Sequence, residues 1–167
     1  MAEYREPFAG NASLLWTVPT DIKRLINDVD PDLIRYHRAM QSRPDYVDEI
    51  LNLKARYKSA DDLRHAFDLA KVEWYFDNCP VAYFLLNRLC YGQVVRRSRN
   101  NVATFWYSML DNGFNAITRE RLEKSREIYQ GVEITNGDYW DLLEKPGKDV
   151  WLLLDPPYLL RNQDSAS

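Results

Sequence analysis

Apolar and polar positions along this chain fall into short runs whose period switches repeatedly between that of a strand and that of a helix. Residues 4–7 read as a short strand that ends at "PFAGNAS", and a helix follows through Leu14, Leu15 and Trp16. Residues 24–29 read as a second strand, ending on acids. Pro31 then opens a helix at its favoured first-turn position, running through Leu33, Ile34 and Met40. Residues 44–76 are helical in pieces. Ile50, Leu51 and Leu53 give one apolar face, and Leu63, Ala66, Phe67 and Ala70 give another at the i, i+3, i+4, i+7 spacing. Residues 80–89 predict a largely buried helix closed by Gly92, and residues 93–101 are polar and looped. "ITRERLEKSREIY" is a charged amphipathic helix, with Leu122 and Ile128 inward and Thr118 and Arg121 toward solvent. "GVEITNGD" is a strand that turns at Asn136 and Gly137, "KPGKD" is a turn, and "VWLLL", residues 150–154, is the last strand.

Strands that alternate with helices argue for an α/β fold with a parallel sheet. The unbroken apolar run of "VWLLL" fits a strand buried on both faces, and its length and the prolines after it favour a strand over a helix. The expected layout is a core of residues 1–43 and 117–160, interrupted by a helical insertion at 44–116 and followed by a disordered tail at 161–167.

Composition adds little beyond a globular class. The 167 residues suit one domain, with 46% hydrophobic and 28% charged residues. The net charge of −3 argues against a uniformly basic coat but leaves room for a local basic strip. Cys79 and Cys90 match no CxxC spacing, which suggests a reduced, cytoplasmic setting. His37 and His65 lack ligand-spaced neighbours and read as solvated helix residues, so no metal is expected. No signal core and no stretch near the ~20 apolar residues of a membrane span stands in the sequence.

The candidate chemistry lies at the strand ends. In open α/β sheets, ligands sit beyond the carboxyl ends of the strands. Here those ends read "EPFAGNAS", "NDVD", "NGDY" and "DPPY". In "DPPY", Pro156 and Pro157 hold the backbone extended, so Asp155 and the Pro156 carbonyl become rigid neighbouring acceptors. Two acceptors suit an exocyclic amino group with its two N–H donors, and Tyr158 can stack on a base.

Taken together these loops resemble the Dam-like family of DNA adenine methyltransferases. "DPPY" at 155–158 resembles the catalytic motif, "EPFAGNAS" at 6–13 the cofactor loop, and "INDVDPDLI" at 26–34 the ribose-binding strand end with its helix. "FLLNRLCYG" at 84–92 and "VEITNGDYWDLL" at 132–143 resemble further family segments, in family order. The resemblance implies a Rossmann-like sheet that binds S-adenosylmethionine, present in part, with a helical insertion. It implies that Glu6, Pro7, Phe8, Ala9, Gly10 and Asn11 form the cofactor loop, Phe8 to Asn11 beside the methionine part. It further implies that Asp28 accepts from the ribose hydroxyls, that Asp138 binds the adenine amino group with Tyr139 packed beside it, and that Asp155 touches both cofactor and target. The implied reaction is methyl transfer to N6 of an adenine flipped from duplex DNA, with Asp155, Pro156, Pro157 and Tyr158 at its centre. Between residues 78 and 110 there are four arginines and no acid; Arg88, Arg96, Arg97 and Arg99, with Tyr91, make a candidate phosphate footprint.

Three departures from the family stand out. Ala12 replaces the usual second glycine of the cofactor loop. The family's lysine- and glycine-containing segment before the first strand has no counterpart, and neither do the strands that follow "DPPY". The expectation is a shortened copy whose last strand has a bare edge, marginal alone or completed by a second polypeptide or by self-association. Alternatives are a non-catalytic relic that binds DNA or cofactor, and a methylase acting on the N4 amine of cytosine or on a protein glutamine.

Overall fold

The computed structural model describes residues 2–56, 60–90, 96–97, 103–104 and 117–156. The chain divides into two compact units, Met1–Pro31 with Gly131–Ser167, and Asp32–Gln130.

The first unit is built on a parallel sheet of β1 (Glu3–Glu6), β2 (Lys23–Asp28), β5 (Val132–Asn136) and β6 (Val150–Leu152), in the order β5-β2-β1-β6. Glu6 pairs with Ile26, Ile26 with Ile134, and Arg5 with Leu152, so the four carboxyl ends lie side by side. The chain leaves β1 toward β2 on one side and returns on the other as β6. That reversal makes a crevice at the ends of the strands.

The central strands β1 and β2 are buried on both faces although β1 reads "EYRE". Its polar side chains satisfy one another and nearby backbone. Arg5 Nε donates to Glu3 at 2.6 Å, and the Tyr4 hydroxyl donates to Glu6 Oε2 at 2.9 Å. The Arg5 guanidinium also donates to the carbonyls of Leu142, Lys145 and Pro146, which latches the turn before β6 onto the sheet. Gly147 lies so close that a Cβ there meets the Arg5 guanidinium and the Val150 side chain.

The expectation that "VWLLL" is buried on both faces is corrected. Trp151 is 63% exposed and Leu154 54% exposed, because among the described residues β6 pairs only with β1 and forms the sheet's edge. Strand β6 also stops at Leu152, although Leu153 N still donates to Arg5 O at 2.9 Å. Leu14 to Trp16 lie in a 3-10 turn, Ser13–Thr17.

The second unit is helical. The helix α1 (Pro31–Ser42) begins at the boundary, and α2 (Tyr46–Arg56), α3 (Ala60–Asp77), α4 (Pro80–Leu89) and α5 (Arg119–Tyr129) follow. Pro80 opens α4, and Tyr83, Phe84, Leu85 and Leu86 bury it. Thr118 caps α5, its side chain accepting from Arg121 N at 3.3 Å, while Leu122 and Ile128 point inward. The reading of His37 as a solvated residue is overturned. It is fully buried on the apolar stripe of Leu33, Ile34 and Met40, and its Nδ1 lies 2.6 Å from the Tyr129 hydroxyl. His65 is exposed. The looped reading of 93–101 is corrected at β3 (Arg96–Arg97), which pairs antiparallel with β4 (Ala103–Thr104). Gly92 and the tail at 161–167 lie outside the described residues.

Candidate functional site

A cavity of about 480 Å³ opens at the carboxyl ends of the four parallel strands. Pro7, Phe8 and Gly10 after β1, Asp28 and Val29 after β2, Gly137, Asp138 and Tyr139 after β5, and Asp155 after β6 line it. Three of these residues are acids and none is a lysine, arginine or histidine.

Local backbone geometry sets each wall. Gly10 and Ala12 both sit in the left-handed region, at φ 49° and 50°. The alanine that replaces the family's second glycine therefore adopts the conformation a glycine takes without strain, at a cost of about 1–2 kcal/mol. Ala12 is 1% exposed, so its methyl group is packed in return.

Asp28 fastens two segments at once. Its Oδ2 accepts from Gly10 N at 3.0 Å, and its Oδ1 from Asp30 N at 2.9 Å. Each carboxylate oxygen has a second acceptor site, so capacity remains for a ligand hydroxyl. Asn27, 1% exposed, ties three strand ends together. Its Nδ2 donates to Pro7 O at 3.2 Å and Gly137 O at 3.0 Å, and its Oδ1 accepts from Thr135 Oγ1 at 2.9 Å. Asp138 Oδ1 accepts from Trp140 N at 3.0 Å, opening the short helix α6 (Trp140–Leu143), which the sequence did not predict. The rings of Phe8 and Tyr139 approach to 4.9 Å at 30°, forming an aromatic wall from two different loops.

Glu6 lies behind the cavity, 4% exposed. Burial, then the charges of Asp155 and Asp28, push its carboxyl up to a pKa of about 7, although the bond from Tyr4 pulls the other way. Burial foremost, and the neighbouring Glu6, raise the Tyr4 hydroxyl well above its ordinary value.

The structure thus brings Pro7, Phe8, Gly10, Asp28, Asp138, Tyr139 and Asp155 to one cavity. Glu6 and Ala9 are buried, Asn11 is exposed, and none of the three lines it. Pro156 is exposed beside Asp155, while Pro157 and Tyr158 lie outside the described residues. Arg88 is half-buried with its guanidinium 5.4 Å from the centre of the Phe84 ring. Arg96 and Arg97 lie on β3; Tyr91 and Arg99 lie outside the described residues. Asn27 and Tyr4 escaped the sequence reading. The one signal for Asn27 is an amide directly before the strand-end acid, in a strand otherwise apolar there.

The donor set of the cavity is selective. Carboxylates accept from hydroxyl and amino groups and favour a cation, and they repel phosphate. Among the described residues no group of three or more His, Cys, Asp or Glu could hold a metal ion, and no helix is long and apolar enough to cross a membrane.

A family model for D12 class N6 adenine-specific DNA methyltransferases matches residues 1–166. The Type II methyltransferase M1.LlaDCHI of Lactococcus lactis subsp. cremoris is 24% identical to this chain over 169 residues. That alignment covers 96% of the chain and 58% of the relative, so the chain spans a little over half of the relative's length. With its parallel sheet, its strand-end cavity and a family match across nearly every residue, the chain belongs to the D12 class N6 adenine-specific DNA methyltransferases.

Proposed function

We propose that this chain binds S-adenosylmethionine in the strand-end cavity and directs its methyl group to the N6 amine of a flipped adenine in duplex DNA. One observation carries the reading: Asp155, the acid of the "DPPY" motif, lines the same cavity as Asp28 and Asp138, with no basic side chain among the described residues of its wall. A ligand with ribose hydroxyls, amino groups and net positive charge fits such a wall, and a dinucleotide with its pyrophosphate does not.

Asp28 accepts from the ribose hydroxyls, Asp138 holds the adenine amino group with Tyr139 packed beside it, and the loop of Phe8 to Asn11 follows the methionine part. The cofactor supplies an electrophilic methyl on a sulfonium. Asp155 and the Pro156 carbonyl accept the target amine's two N–H bonds, which frees the nitrogen lone pair from ring conjugation. Tyr158 stacks on the base. The rate advantage then comes from positioning and fixed charge.

The flipped base requires contact with the duplex. The reading assigns this to the helical region 44–116, with Arg88, Arg96, Arg97 and Arg99 on phosphates beside Tyr91. It places the protein in a prokaryotic or phage cytoplasm, and it completes the exposed edge of β6 with a second polypeptide or another copy.

The test is transfer of a labelled methyl group from S-adenosylmethionine to unmethylated duplex DNA. Wild-type transfer is expected, with a loss of at least about a hundredfold in Asp155→Ala. Equal rates in the two proteins refute the assignment. Cofactor binding without transfer selects the non-catalytic alternative.

A further inference from the structure

Glu6 opens the implied cofactor loop, yet the reading above gives its carboxyl no contact of its own. It ends β1, is 4% exposed, and directly precedes the Pro7 and Phe8 wall of the cavity without lining it. Its one described bond comes from the Tyr4 hydroxyl, at 2.9 Å. The charged groups it faces are Asp28 at the end of β2 and Asp155 beyond β6, and no cation is paired with it among the described residues. Three carboxyls therefore crowd one end of the sheet, one of them shut away from water.

Such a cluster cannot hold three charges cheaply. Burial and the two neighbouring acids keep Glu6 protonated up to about pH 7. The balance changes when a positive charge enters the cavity, since a nearby cation favours the ionised carboxyl. By linkage, a cation that lowers the proton affinity of Glu6 is itself bound more tightly, by the same factor, once Glu6 is ionised.

Resting on the methyl-donor reading above, we propose that Glu6 is a charge-sensing specificity residue of the cofactor site. It keeps its proton while the cavity lacks a cation and releases it to a sulfonium-bearing ligand. It thereby favours S-adenosylmethionine over the uncharged thioether product. The two ligands share every group except the methyl and its charge, so a shape-reading pocket separates them poorly. A buried acid that ionises for one of them separates them by charge, and it regains its proton as the product stays or leaves.

Calorimetric titration of the purified chain with each ligand tests this, from about pH 5 to about pH 9, in two buffers of unlike ionisation enthalpy. The α-amino group of each ligand also titrates in this range, more readily beside a sulfonium, so its part is read from the same titrations on Glu6→Gln and subtracted. The expected result is proton release on S-adenosylmethionine binding below about pH 7, and affinity for it rising about tenfold more than for the thioether across the range. In Glu6→Gln, which keeps an oxygen acceptor for Tyr4, the two profiles differ only by that part. Parallel profiles in the wild-type protein overturn the proposal, and so does an unchanged difference in Glu6→Gln. If that variant does not fold, the wild-type buffer comparison decides alone. A chain that binds neither ligand refutes the methyl-donor reading itself, whereas binding without proton release refutes only the role of Glu6.

Discussion

Glu6 and Asn27 are adjacent-strand residues that meet the same problem, a polar group shut away from water, in opposite ways. Asn27 has both its donors and its oxygen engaged, so it fixes the spacing between the loops after β1 and β5. Glu6 is not saturated and carries a titratable proton instead. Its pKa rises on folding from 4.5 to about 7. The native state therefore holds a proton that the unfolded chain has lost within that window. The stability this provides is complete below about pH 4.5 and is lost as pH rises through about 7. The loss is about 3 kcal/mol. Urea unfolding of the wild-type protein should show that decline between these limits, and Glu6→Gln should flatten it. Identical pH profiles for the two proteins would show that the carboxyl is not the titrating group.

At the level of elements, the turn between α6 and β6 is set by a side chain from the far end of the sequence. Arg5 reaches from β1 to one carbonyl of α6, at Leu142, and two of the turn after it, at Lys145 and Pro146, and Gly147 leaves the room its guanidinium needs. This joins the loop of Asp138 and Tyr139 to the strand that leads to Asp155. A Gly147→Ala methyl falls on Arg5 and Val150, so the variant should lose about 1–3 kcal/mol in chemical denaturation. Wild-type stability in that variant would mean the latch has slack. The loop after β1 shows the complementary case. Ala12 tolerates a left-handed backbone that a glycine takes freely, because its methyl is packed.

On the scale of the whole molecule, the edge of the sheet dominates. Trp151, Leu152 and Leu154 stand exposed on or just past β6, whose outer side has no partner among the described residues. An apolar edge of this kind is a template for another strand. Size-exclusion chromatography should show retention that varies with protein concentration, and Trp151→Lys should yield a single monomeric peak. A wild-type chain that is monomeric at every concentration would count against pairing through this edge.

Much of this was legible in the sequence because it depends on neighbours along the chain. Period and turn residues marked the four strands, the helix opened by Pro31, the helix opened by Pro80, and the acids that end the strands. Motif order then indicated the family. The tertiary structure decided what depends on groups far apart. "VWLLL" has the apolar run of an interior strand, yet among the described residues sheet order places it at an edge. "EYRE" looks like a surface strand, yet Arg5 and Glu6 are buried there because distant carbonyls and a neighbouring tyrosine receive them. His37 lies in the core because Tyr129, 92 residues away, meets its ring. A residue's type and spacing fix what it can bond; only the folded chain fixes which partner is there and how much water remains.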